Sequence, residues 1–257
     1  MLFRSKIRST ITAKENTNDN IFLPVNSNKQ YLQKLNTRKA ISQATIPPAL
    51  IKIAAEPLST SLLIAINNSF KCNIFPCNAK VACAKLVVKV RRKHCISNFR
   101  PVSILNTFSK IYEIFAKNLL VSNIEEFFSP FLAAYRKSYS TQHVLIRMVE
   151  EWKENLDNNF IVGAVLTDLS KAFDCIPHDL LIAKLSAYGL NSDSLCYIYS
   201  YLKDRKQCVQ INNEQSEFDT IISGVPQGSI FGPILYNIFF QRLLLLYAKG
   251  LSSQFCR

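Results

Sequence analysis

Apolar side chains are sparse and aperiodic over residues 1–40, which are rich in Asn, Lys, Thr and Ser, and they become regular from Pro47 onward. The first stretch reads as a mobile arm or linker. Ala49 to Ile66 carries its apolar residues at helical spacing, with Pro57 as the place where that helix would be interrupted. Lys85 to Val90 is a short β-rich run that ends in the basic cluster Arg91, Arg92, Lys93. Ser109 is placed to cap a helix whose apolar positions are Ile111, Ile114, Phe115 and Leu119. A further helix is expected from Thr141 to about Leu156, its inner face formed by Val144, Leu145, Met148, Val149 and Trp152. Ile161 to Thr167 is almost wholly apolar and reads as a central buried strand that delivers Asp168 at its end. Leu180 to Tyr188 and Ser194 to Leu202 read as helices divided by the Gly189 stop. Gln207 to Ile211 and Phe218 to Ile222 read as a hairpin with Asn212 and Asn213 in its loop, and no internal repeat is visible.

A chain of 257 residues with 48% hydrophobic residues, 19% charged residues and 17 Phe has enough apolar material for a real core, which excludes a disordered tail or a disulfide-stapled module. The net charge of +13 is unevenly spread. Residues 1–100 hold 17 Lys or Arg against Glu15, Asp19 and Glu56, whereas residues 101–257 hold 14 against 15 acids. A basic part beside a neutral one suggests a polyanionic partner, nucleic acid ahead of an anionic membrane surface, with a solvated basic face as the plainer alternative.

The cysteines at 72, 77, 83 and 95 are spaced too irregularly for paired zinc ligands, which favours reduced, packed thiols. MLFRSKIRST lacks the apolar stretch of a signal peptide, so a cytoplasmic or nuclear location is expected. Residues 220–241 are uncharged for long enough to span a bilayer. Gly224, Pro226, Gln227, Gly228, Gly232 and Pro233 break the run, pointing instead to a turn and a buried helix, with no membrane contact.

Two segments carry candidate chemistry. VGAVLTDLSKAFDCIPHDLL places Asp168 and Asp174 six residues apart, with Phe173 between them, and a strand-end carboxylate either caps the next helix or holds a metal. SGVPQGSIFGP sets two glycines around Pro226 and Gln227; by itself it is equally a tight turn or a place where backbone approaches a ligand.

Read in order, SNFRPVSILNTFSKIYE, YRKSYSTQHVL, LTDLSKAFDCIPHDLL, YLKDRKQCVQIN and SGVPQGSIFGPILYNIFF resemble the reverse transcriptase domain of non-LTR retrotransposons of the LINE or jockey-like kind, from about Ile46 to Phe240. The resemblance implies an α+β fold with right-hand polymerase-like fingers and a partial palm, its antiparallel sheet packed on helices. It divides the chain into an arm or linker (1–45), a fingers-like region (46–160) and a partial palm without a thumb (161–257). It implies an RNA template, a DNA primer and deoxynucleoside triphosphates as partners and two Mg²⁺ ions as cofactors, joined in phosphoryl transfer.

Carried over residue by residue, the resemblance makes Asp168 the catalytic, metal-binding carboxylate and the Leu169 carbonyl a further metal contact beside the nucleotide. Arg100 would meet the triphosphate, Phe173 would exclude a ribose 2′-hydroxyl, and Gln227 with Gly228 would lie beside the template base and the bound nucleotide. Asp174 and His178 take structural roles, and Gly232 and Pro233 shape the following helix. Lys85, Lys89, Arg91, Arg92 and Lys93 would hold the nucleic acid.

The sequence also departs from that family. Where relatives carry Tyr-Ala-Asp-Asp, with two more metal-binding acids, this chain offers Tyr247-Ala248-Lys249-Gly250, and no acid follows Asp219. Ala133-Ala134-Tyr135 stands where Phe-Gly-Phe is usual. No stretch of this sequence resembles the family's endonuclease domain. The expectation is therefore a truncated polymerase domain that is inactive as it stands. A non-catalytic basic nucleic-acid-binding module and a decayed element relic are the alternatives.

Overall fold

The computed structural model describes residues 21–22, 25–37, 46–88, 99–169, 171–212 and 214–241. Lys89, Arg91, Arg92 and Lys93 lie outside them, as do Asn213 and the Tyr247-Ala248-Lys249-Gly250 stretch.

The run VACAKLVV, apolar but for Lys85 and rich in valine, makes β1 (Val81–Val88), which buries Ala82, Cys83 and Ala84. It pairs antiparallel with β2 (Phe99–Leu105) in a register that sets Ser103 against Ala84 and Arg100 against Val87. On its other side it pairs parallel with β3 (Arg205–Ile211), Cys83 facing Cys208. β4 (Glu214–Gln215) and β5 (Asp219–Ile221) both run antiparallel to β3. The fold is thus mixed α and β, as expected, but its sheet is mixed rather than purely antiparallel. The β1–β3 pair joins residues more than a hundred apart through a long helical crossover, a connection that parallel pairing requires and local patterning cannot reveal.

The helices are α1 (Lys29–Gln33), α2 (Pro48–Ile53), α3 (Ala55–Lys71), α4 (Thr107–Ile124), α5 (Thr141–Asp157), α6 (His178–Ala187), α7 (Ser192–Leu202) and α8 (232–241). The helical break expected at Pro57 falls instead at Ala54, because Pro57 sits in the first turn of α3, where no intrahelical N–H is required. Asn106, not Ser109, caps α4: its side chain accepts from the Phe108 N–H at 2.9 Å. Gly189 ends α6 with φ of 85°.

The core is dominated by aromatic packing of Phe70, Phe75, Tyr112, Tyr197, Tyr201 and Phe231. Phe22 and Leu32, from the stretch expected to be an arm or linker, are buried in it, with Phe22 packed on Phe70 and Tyr197. Polar composition hid these two anchors.

Two expectations fail together. Residues 160–169 form no strand, and Ile161, Val165 and Leu166 are 100%, 81% and 89% exposed. In α5 no residue is buried, so the intended inner face of Val144, Leu145, Val149 and Trp152 faces outward. Apolar patterning states which face wants cover and not whether a covering element is present; among the described residues no strand pairs with 161–167.

Candidate functional site

The turn after β5 is docked on the segment that follows Asp168. Val225 N–H donates to the Phe173 carbonyl at 2.8 Å, and Gly224 N–H donates to the Ile176 carbonyl at 2.8 Å. The Ser223 hydroxyl donates to the Asp174 carbonyl at 3.1 Å, and His178 Nε2 donates to the Gly224 carbonyl at 2.8 Å. Gly224 has φ of +84°, and a Cβ there would lie 2.7 Å from the Asp174 backbone and from the Phe173 carbonyl oxygen. Only glycine lets these two backbones approach so closely. His178 takes the structural role expected of it.

The same turn is fastened to the sheet. Ser103 N–H donates to the Gln227 carbonyl at 2.6 Å. Gly228, at φ +113°, packs on Ser103 so tightly that a Cβ would sit 2.5 Å from its carbonyl oxygen. Gln227 Nε2 lies 3.4 Å from both carboxylate oxygens of Asp174. Asp174, Gln227 and Ser103 line a cavity of about 130 Å³ together with Gln207, Ser223 and Pro101.

A third anchor was not anticipated. Glu113 is fully buried on α4 and accepts from the Ile230 N–H at 2.7 Å and from the Tyr201 hydroxyl at 3.2 Å. Burial pushes its carboxyl above the ordinary range, while the Arg205 guanidinium, the Ile230 amide and the Tyr201 hydroxyl pull it back. Arg205 is itself buried, with its Cζ 4.7 Å from the Tyr201 ring centroid, and burial drives the Tyr201 hydroxyl far up. The clue was present in SKIYEIFAKNLL: Glu113 shares one helical stripe with Ser109, Ala116, Leu120 and Ile124, all fully or almost fully buried.

The remaining predicted residues divide into two groups. Phe173 is half-buried, stacked on Tyr236 at 4.6 Å between ring centroids and met edge-on by Tyr135 at 6.1 Å. Tyr135 holds a positive φ of 58°, in the stretch where the sequence departs from its family pattern. Arg100 is exposed on β2, two residues from Val102, whose side chain lies against Gly228. Lys85 is exposed on β1. Asp168 and Leu169 lie exposed at the end of the unpaired 160–169 segment, outside the interlocked turn. Among the described residues no group of three or more His, Cys, Asp or Glu could hold a metal. With one carboxylate and one carbonyl, the residues present do not make a two-ion magnesium site. No helix among the described residues is long and apolar enough to cross a membrane.

An Ala-Phe-Asp segment interlocked with a Pro-Gln-Gly turn, set against an Arg-bearing strand, defines a class. A family profile described as reverse transcriptase (RNA-dependent DNA polymerase) matches residues 90–257, and the chain belongs to that family. Proteins of mobile elements are among its relatives. The chain is 29% identical over 73% of its length to a probable RNA-directed DNA polymerase from transposon BS of Drosophila melanogaster. It is 26% and 28% identical, over 82% of its length, to the RNA-directed DNA polymerases from mobile element jockey of Drosophila funebris and Drosophila melanogaster. It is the reverse transcriptase domain of a non-LTR retrotransposon. The chain spans only 21% to 23% of the length of these relatives.

Proposed function

We propose that this chain is the substrate-positioning part of an RNA-directed DNA polymerase: it holds an RNA template, a DNA primer and a deoxynucleoside triphosphate without itself extending the primer. The observation that carries this reading is the interlock of residues 173–178 with 223–230 against β2, which gathers Phe173, Asp174, Gln227 and Gly228 into one place. In this reading residues 46–160 serve as fingers and 161–257 as a partial palm. Arg100 meets the triphosphate, Phe173 excludes the 2′-hydroxyl, and Gln227 with Gly228 faces base and nucleotide. Asp168 and the Leu169 carbonyl are one part of a metal set whose other acids this sequence does not contain. The protein works in the cytoplasm or nucleus, where its template would be found.

Lys85, Lys89, Arg91, Arg92 and Lys93 supply the charge that holds the backbone of the nucleic acid. Labelled RNA titrated by fluorescence anisotropy is expected to bind without sequence preference and to weaken steeply as salt rises. Reversing those five charges should remove most of the binding. Affinity that is flat with salt, or that survives the reversal, contradicts the reading. Primer extension on an RNA template with Mg²⁺ or Mn²⁺ is expected to be absent, and extension that depends on Asp168 would overturn that part of it.

A further inference from the structure

The chemistry of the Asp174–Gln227 pair is more specific than its place in the turn. A carboxylate only accepts hydrogen bonds, whereas a carboxamide carries a donating and an accepting end. With Gln227 Nε2 at 3.4 Å from both Asp174 oxygens, the donating end is committed to Asp174, since the flipped amide would set acceptor against acceptor. Neither residue is free to drift. The Gln227 backbone is fixed by the Ser103 N–H, and that of Asp174 by the glycine contact with Gly224. Gln227 Oε1 is left as an acceptor with no hydrogen bond from any described residue, and Gln227 lines a cavity of about 130 Å³ together with Asp174, Ser103, Gln207 and Ser223.

We infer that Asp174 is a positioning residue that polarises Gln227, turning the Pro-Gln-Gly turn into an acceptor that recognises an O–H or N–H of the bound nucleic acid. The identity of the ligand rests on the function proposed above; the coupling of Asp174 to Gln227 does not. The pairing makes the turn a poor phosphate site, because its donating end is occupied and a carboxylate stands behind it. Two donors on a nucleic acid fit: a ribose 2′-hydroxyl, present only in RNA, and a base N–H, present in RNA and DNA alike.

The test has two arms. In ¹⁵N-resolved NMR spectra, the side-chain amide pair of Gln227, identified by its loss in Gln227→Ala, is expected to shift strongly in Asp174→Asn. The Ser103 backbone amide, which reports that the turn is intact, should keep its position; Asp174→Ala serves where Asp174→Asn does not fold. In the second arm, anisotropy with RNA and DNA oligonucleotides of one sequence is expected to show about fivefold weaker RNA binding for Gln227→Ala, the worth of one hydrogen bond. Asp174→Asn should weaken binding to a similar degree, and the double variant no further. A loss confined to RNA assigns the 2′-hydroxyl; an equal loss on both assigns a base N–H. Gln227 amide resonances that ignore Asp174 would overturn the inference, as would additive losses near 25-fold in the double variant. If the unmodified chain binds neither oligonucleotide, the proposed function fails while the NMR arm still decides the coupling.

Discussion

Glu113 offers the sharpest test of how the turn is held. Replacing it with Leu leaves the Ile230 N–H and the Tyr201 hydroxyl without their acceptor and strips the buried Arg205 of its nearby negative charge. Arg205 Nε and Nη2 already lack hydrogen-bond partners, and Nη1 donates to the neutral Tyr201 carbonyl at 3.1 Å, which does not replace a negative charge. Orphaning a buried charge costs about 3 to 5 kcal/mol, which for a domain of this size lowers the melting temperature by about 6 to 20 °C. Glu113→Gln keeps an acceptor for Ile230 and loses only the charge, so its cost should fall to about 1 to 3 kcal/mol. A second readout follows from protonation. A carboxyl whose folded pKa is raised binds its proton more tightly folded than unfolded, so its contribution is full below the ordinary carboxylate range and is lost as pH rises through the folded value. Thermal melts followed by circular dichroism across acid to neutral pH should show that decline, and Glu113→Gln should flatten it. The reasoning is refuted if Glu113→Leu melts within about 2 °C of the parent, or if the Gln variant retains the full slope.

Gly224→Ala combines a left-handed φ with three backbone clashes at 2.7 Å, and should cost about 3 kcal/mol or more in urea unfolding, whereas alanine at the exposed, unhindered Gly163 should change little. Burial raises the Cys83 thiol to about 11, so under native conditions Cys83 should react with a thiol reagent far more slowly than the exposed Cys72, Cys77, Cys175 and Cys196, as peptide mass mapping would show; prompt labelling of Cys83 contradicts its placement between β2 and β3.

Much of the element list was legible because α4, α6 and α7 carry local periodicity and local stops, and the β3–β5 hairpin carries its own turn. Pairing was not legible. Nothing in VACAKLVV announces that Cys83 will lie beside Cys208, because a parallel partner is chosen by how the intervening helices pack. For the site, motif wording singled out Phe173, Gln227 and Gly228, gave Asp174 a structural part, and passed over Glu113. Both act through contacts between distant segments, Glu113 with Ile230 and Asp174 with Gln227, and such contacts leave no mark on either segment alone. The failed strand at 161–167 is the converse case, a correct local pattern without its neighbours.

That failure also locates the boundary between the secured and unsecured parts of the site. Asp168 ends a stretch whose apolar side chains stand in solvent, where each buried Val, Leu or Ile would contribute about 1.5 to 3 kcal/mol. Three residues on, Lys171 at φ of 52° opens a turn in which its carbonyl accepts from the N–H groups of Asp174 and Cys175. From Phe173 to Ile176 the backbone is tied to the turn around Gly224 through the carbonyls of Phe173, Asp174 and Ile176. The groups read as holding sugar and base are therefore fixed by glycine contacts and backbone hydrogen bonds that this chain supplies. The carboxylate read as holding metal depends on cover for the 161–167 stretch. On the function proposed above, the site divides at its metal edge: substrate recognition falls to the interlocked turns, and the metal edge depends on elements that would cover the residues leading to Asp168.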